Sequence, residues 1–200
     1  MAELNEQHMV EEIKANIETG DSLKARLVLD HLASVDKKTQ NRLLYELSRA
    51  DASFTIPLLN HVLTTFPDLA NELPVIRETL ISHLIAYPDL LIDALRNPVI
   101  LDKTVMIETA GELKLEEATP ALMELLGETE NSLLLKMIIE TLGLIGDPQS
   151  VNILTDYLYA ADRELIITAI HALGQVGTPT AMHRLAERMG TDNELDLLIL

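Results

Sequence analysis

The sequence predicts an all-α fold, an α-solenoid of stacked antiparallel helical hairpins. A stretch of sequence recurs at a nearly fixed interval, as MIETAGELKLEEATPAL at 106–122, IIETLGLIGDPQSVNIL at 138–154 and AIHALGQVGTPTAMHRL at 169–185. Composition agrees, since 48% of the residues are hydrophobic but only 3% are aromatic, a bias typical of helices rather than sheets. Such a period marks a repeat fold in which each unit buries its apolar face against its neighbours.

Each repeat is predicted to contain two helices, A and B, joined by a short turn. In the middle repeat, apolar residues at helical spacing predict helix A over 132–145 and helix B over 149–160. Gly146 is expected to end helix A, and Asp147 to cap helix B ahead of a proline. Thr178 and its following proline repeat this arrangement 31 residues later. Periodicity also predicts core positions at Leu43, Leu44, Leu47, Met182 and Met189.

The repeats are predicted to cover residues 37–200, about five in number, with a short helix B that starts at Pro88. Residues 1–36 contain two amphipathic helices, the second capped by Asp21, and are predicted to form a divergent N-terminal helical cap. The last segment, NELDLLIL, starts a further helix A and leaves Leu197, Leu198 and Leu200 bare. We expect a chain cut inside a longer protein, so that the last repeat is truncated at Leu200. A terminal helix that docks back, or a dimer contact through that helix, is the alternative.

The chain is strongly acidic and has no cysteine. Its 15 basic and 32 acidic residues give a net charge of −17, with 17 of the acidic residues in the second half. This balance opposes binding to nucleic acid and to anionic lipid, and the lack of cysteine excludes disulfides and cysteine-based metal sites. The N-terminal MAELNEQHMVEEIK lacks the apolar segment of a secretory signal, and no apolar run is long enough to span a membrane. We therefore predict a cytoplasmic protein without a cofactor.

Two segments, IETLGLIGDPQSVNILTDYL and IHALGQVGTPTAMHRLAERM, resemble HEAT repeats of the short type named after phycobilisome lyases. The hallmark is an ALG-x-x-G-D-P-x-x-x-x-x-L core, present here as LGLIGDPQSVNIL and LGQVGTPTAMHRL. The resemblance is strong over about 101–190, fair over about 37–100 and absent over 1–36. It implies a right-handed, armadillo-like superhelix whose B helices line a concave face. The family usually places an arginine early in helix A. This chain departs from that pattern, since Lys136 and Thr168 lie near the place of the arginine.

This resemblance directs attention to the exposed positions of the B helices. Glu124, Asp156 and Glu187 are equivalent under the 32- and 31-residue offsets, and helices packed about 8–10 Å apart would align their carboxylates as a ladder on the concave face. Tyr159 is expected to add a flat anchor, and Asn152 and His183 fall in a neighbouring row. The prediction is a protein partner with a basic segment. The alternative is a solvated face that is acidic only because the whole chain is.

A second row, Glu108, Glu140 and His171, falls on the A helices, where exposed or half-buried repeat positions without chemistry are expected. One enzymatic branch of the family binds two iron ions through His–Glu dipeptides, but none of the six histidines here precedes a glutamate. We therefore predict no catalytic and no metal site.

The predicted function is a non-enzymatic scaffold for protein–protein interaction. One alternative is the N-terminal docking or regulatory module of a larger bacterial signalling protein. Another, which the family name suggests, is a lyase-like helper in tetrapyrrole attachment. The sequence leaves the oligomeric state open.

Overall fold

The computed structural model describes residues 2–100, 102–190 and 192–199. These residues form helices joined by short turns, and none of them lies in a β-strand. The predicted all-α fold is confirmed. The chain divides into two compact units, of which unit 1 comprises Met1–Leu90 and Pro98–Asp102 and unit 2 comprises Leu91–Asn97 and Lys103–Leu200. The proposed boundary between a cap and the repeats at residue 36 does not coincide with this division and stays a prediction about the repeat pattern.

Unit 1 is a set of packed helices with a leucine-rich core. Leu43, Leu44 and Leu47 are buried, as predicted. Asp21 caps the second helix as predicted, because its carboxylate accepts a hydrogen bond of 3.1 Å from the backbone N–H of Lys24. The helices of unit 1 are α1 (Ala2–Thr19), α2 (Ser22–Leu29), α3 (Lys37–Ser48), α4 (Ala52–Thr65), α5 (Pro67–Glu72) and α6 (Val75–Ala86).

Unit 2 contains the repeats that the sequence shows best. Its first helix, α7 (Pro88–Arg96), starts at the predicted proline and enters unit 2 at Leu91. The A helices are α8 (Thr104–Leu113), α10 (Ser132–Ile145) and α12 (Arg163–Val176), and the B helices are α9 (Thr119–Glu128), α11 (Val151–Asp156) and α13 (Pro179–Arg188). A further helix, α14 (Asn193–Ile199), follows.

Equivalent repeat positions are buried together, which confirms the alignment. On the A helices Ile107, Ile139 and Ile170 are at most 2% exposed, and on the B helices Leu122, Leu154 and Leu185 are too. Each hairpin therefore contributes the same apolar positions to one core.

Helix A of the middle repeat has the predicted bounds, whereas helix B is shorter than predicted. Gly146 ends α10 in the left-handed conformation with φ of 80°, and Asp147 accepts a hydrogen bond of 2.9 Å from the backbone N–H of Gln149. The predicted helix over 149–160 consists instead of a 3₁₀ turn, the α-helix α11 and a second 3₁₀ turn, Tyr157–Tyr159. The tighter turns satisfy backbone groups at ends that a six-residue helix cannot satisfy internally.

Consecutive A helices cross at the glycines of the recurring motif. A Cβ atom on Gly143 would lie 2.6 Å from the Cα of Ala172, and one on Gly111 would lie 3.3 Å from Cγ2 of Thr141. Glycine therefore lets α10 approach α12 more closely than any side chain would allow.

Two predicted core methionines are on the surface. Met182 is 46% and Met189 37% exposed, whereas Ala181 and Leu185 of the same repeat are buried. The spacing of the two methionines is helical, but α13 turns the Ala181–Leu185 stripe to the core, and Met182 lies beside that stripe.

The last described helix, α14, exposes apolar side chains, as predicted for two of its leucines. Leu197 is 74% and Leu198 43% exposed, while Leu195 is buried. Leu200 lies outside the described residues.

Candidate functional site

The predicted acidic ladder lies on three successive B helices of unit 2. Glu124 is in α9, Asp156 ends α11 and Glu187 is in α13, and all three are exposed. We call these three residues the B-helix row. Asn152 and His183 of the neighbouring row are exposed as well. The B-helix row belongs to a unit that carries 17 acidic and 7 basic residues.

The first carboxylate of the row forms a two-point ion pair that the sequence does not reveal. Arg96 donates from Nε to Oε2 of Glu124 at 2.9 Å and from Nη2 to Oε1 at 3.3 Å. This hydrogen bonding lowers the pKa of the Glu124 carboxyl and raises the pKa of Arg96. Both side chains are about half exposed, so water screens the pair.

A half-buried lysine caps the end of α7, where Arg96 lies. Lys103 Nζ donates to the carbonyl oxygens of Ala94 at 3.2 Å and Asn97 at 2.6 Å, where the helix ends. Partial burial lowers the pKa of Lys103. A cation at a helix C-terminus satisfies carbonyls that lack an intrahelical partner, and it fixes the helix end from which Arg96 reaches Glu124.

The third carboxylate is paired within its own helix. Arg184 Nη1 donates to Oε2 of Glu187 at 3.0 Å, and His183 Nε2 lies 3.3 Å from Oε1. These i,i+3 and i,i+4 spacings are visible in the sequence and predict such pairs on a helix surface. His183 therefore contacts the B-helix row directly.

Asp156 differs from the other two members of the row. Among the described residues, no ion pair and no side-chain hydrogen bond engages its carboxylate. It therefore offers an unpaired negative charge at the centre of the row.

Tyr159 is 66% exposed but is not a free flat surface. The guanidinium carbon of Arg188 lies 5.8 Å from the centroid of its ring, and Arg188 Nε donates to the carbonyl oxygen of Leu158 at 3.1 Å. This cation–π contact joins α13 to the end of the preceding hairpin. Because Arg188 covers one face of the ring, a partner could contact only the other face and the edge of Tyr159.

Polar contacts also link successive A helices. Lys136 of α10 donates to Glu164 of α12 at 3.3 Å, and Arg163 donates to Asp192 at 3.0 Å and to Glu194 at 2.6 Å. Lys136 thus makes an inter-repeat contact near the place where the family usually has an arginine. Arg163 is a contact residue that repeat alignment alone did not select.

The described residues show no group of three or more His, Asp or Glu side chains placed to hold a metal ion. In the same part of the chain, no helix has both the length and the apolar character needed to cross a bilayer.

Part of the chain matches a known family of helical repeats. The family model described as HEAT repeats matches residues 88–169, from the start of α7 into α12. Residues 88–169 are therefore HEAT-like repeats, in agreement with the helical hairpins of this part of the chain. The predicted α-solenoid of helical hairpins is thereby confirmed, while the phycobilisome-lyase type stays a prediction. HEAT repeats are commonly scaffolds for protein interaction. No curated protein sequence matches this chain.

Proposed function

We propose that this protein is a non-enzymatic scaffold that binds a basic segment of a protein partner along the B-helix row. The observation that carries the proposal is the placement of Glu124, Asp156 and Glu187, which repeat one exposed position on three successive B helices. A partner with cations at a matching interval would meet one carboxylate per repeat.

The internal ion pairs of the row favour exchange rather than block it. Exposed pairs such as Arg96–Glu124 and Arg184–Glu187 contribute little to stability because water competes for both charges. An incoming lysine or arginine can therefore share or replace the internal cation at small cost. Asp156 needs no exchange, so we expect the first and strongest contact there.

The rigid helical support favours affinity and rate. Asp156 ends α11, whose Leu154 is buried, so binding has little backbone to order. The acidic excess of unit 2 attracts a basic partner from a distance and raises the association rate at low ionic strength.

A charge-reversal series tests the proposal. The triple variant Glu124→Lys, Asp156→Lys, Glu187→Lys is compared with Glu112→Lys, Glu117→Lys, Glu130→Lys, whose positions are exposed and lie outside the row. Both variants change the net charge equally, so general attraction cancels. Fluorescence anisotropy with a labelled oligolysine peptide should show a loss of about tenfold or more for the row variant and a much smaller loss for the control. Equal losses of affinity in the two variants would show that only the overall acidity of the chain attracts the peptide, and would contradict the proposal.

The signalling-module and tetrapyrrole alternatives stay predictions. The arrangement of the row bears on neither, so the scaffold is the function that the geometry supports best.

A further inference from the structure

We propose a second binding site in unit 2, a groove between α10 and α12 that takes an aliphatic side chain next to a lysine or arginine of a partner protein. The groove encloses about 390 Å³ and lies on the A helices, so it shares no residue with the B-helix row. Its volume falls in the range of side-chain and small-ligand pockets, about 300–1,000 Å³.

The groove lies beside the close crossing of α10 and α12, and Ala172 of that crossing lines it. Gly143 contacts the backbone of Ala172, and this close crossing leaves the longer side chains on either side to form walls. Leu144 of α10 and Ile167 of α12 supply apolar wall surface, and Leu144 is 45% exposed. An exposed leucine beside a preformed cavity is surface that an aliphatic side chain would cover.

The neighbouring crossing, between α8 and α10, has bulkier side chains at the equivalent positions. Under the 31-residue offset, Thr168, Ala172 and Gln175 of α12 correspond to Met137, Thr141 and Leu144 of α10. The α10–α12 crossing thus has the smaller residue type at all three positions. The groove therefore depends on side chains that the neighbouring pair of A helices does not share.

The charges around the groove select a cation. Lys136 is the only Lys or Arg among the lining residues, and its Nζ already donates to Glu164. Glu140 is exposed, lines the groove and has no ion pair or side-chain hydrogen bond among the described residues. A lysine or arginine of the partner would form an ion pair with Glu140, whereas a carboxylate would be repelled by it.

Nuclear magnetic resonance of the methyl groups of Leu144 and Ile167 tests the site. The probes are two small peptides, acetyl-Leu-Arg-amide and acetyl-Leu-Glu-amide, titrated into the full chain. The arginine peptide should shift both methyl signals in a saturable manner, and the glutamate peptide should bind more weakly. Glu140→Gln should weaken the arginine peptide about threefold to fivefold, as loss of one exposed ion pair does, while Glu130→Gln should change nothing.

A second pair of variants separates the apolar contact from folding. Leu144→Ala should weaken both peptides, whereas Leu133→Ala on the same helix, where Leu133 is 73% exposed and outside the groove, should weaken neither. Equal binding of the two peptides, or shifts that miss Leu144 and Ile167, would overturn the proposal. Shifts that depend on protein concentration without peptide would show that a second copy is the occupant and would also overturn it. Charge reversal of the B-helix row should leave this titration unchanged, so the two proposals fail independently.

Discussion

Gly143 and Ala172 are in backbone contact across the α10–α12 crossing, since a Cβ on Gly143 would lie 2.6 Å from the Cα of Ala172. The equivalent glycine of the next repeat, Gly174, has no atom of another helix within 4 Å of where its Cβ would lie. The two glycines occupy one repeat position but differ in whether a helix lies against them.

The first prediction uses this difference. Gly143→Ala should destabilise the protein by about 1–3 kcal/mol, because the methyl group forces α10 and α12 apart. Gly174→Ala should instead stabilise it by about 0.5–1 kcal/mol, since alanine is the better helix former and meets nothing. Urea unfolding followed by circular dichroism measures both. A neutral Gly143→Ala variant would show that the close crossing is not needed.

The turn between helices A and B gives the second prediction. Asp147 is 5% exposed, and its carboxylate accepts from the backbone N–H of Gln149 at 2.9 Å. Asp147→Ala should lower the free energy of unfolding by about 1–2 kcal/mol through loss of this cap. Asp147→Asn keeps an acceptor oxygen and should lower the free energy of unfolding much less. Equal losses in the two variants would assign the effect to charge rather than to capping.

Local sequence signals predicted the parts of the fold that local chemistry determines. Helix A of the middle repeat was predicted over 132–145 and is Ser132–Ile145, because helical periodicity defines it and Gly146 ends it in a left-handed conformation. The caps at Asp21, Asp147 and Thr178 were predicted correctly for the same reason.

Features that depend on contacts between repeats were not predicted. The 3₁₀ turn at Tyr157–Tyr159 shortens helix B because the chain must reach the next helix A. The exposure of Met182 follows from the rotation of α13, which periodicity alone does not fix. The Arg96–Glu124 pair joins residues 28 positions apart, and no motif marks it. Equivalent positions in the B-helix row were identified, but the pairing of Glu124 with Arg96 was found only in three dimensions.

The third prediction concerns acid stability of unit 1. Asp21, Asp36 and Asp51 cap α2, α3 and α4, and hydrogen bonds from Lys24, Thr39 and Ser53 lower their pKa values below the usual 3.8. A carboxyl group whose pKa is lower in the folded than in the unfolded state stabilises the folded state at pH values above its unfolded-state pKa. This contribution is lost as the pH falls through the folded-state pKa. Replacing all three with asparagine should keep acceptor oxygens at the caps but make the loss of stability less steep as the pH falls below the usual carboxyl pKa of 3.8. Urea unfolding at several pH values measures it, and an unchanged slope would contradict the assignment.

The fourth prediction concerns the end of α7. Lys103→Met removes the donor to the carbonyls of Ala94 and Asn97, and we expect a loss of about 1–3 kcal/mol from unsatisfied, partly buried acceptors. The side-chain volume is nearly conserved, so packing should change little. Hydrogen exchange of α7 amides should speed up more than that of α12. A uniform effect on both helices would argue against a local cap.

The location of a bound basic peptide shows directly whether the B-helix row is the binding site. Backbone resonances of unit 2 would be followed during titration with the oligolysine peptide, in low salt and then in high salt. Binding along the B-helix row should shift the resonance of Asp156 first and those of Glu124 and Glu187 with it, and salt should reverse all three shifts. Shifts spread evenly over Glu112, Glu117, Glu130 and the B-helix row, or absent from the row, would contradict the proposal.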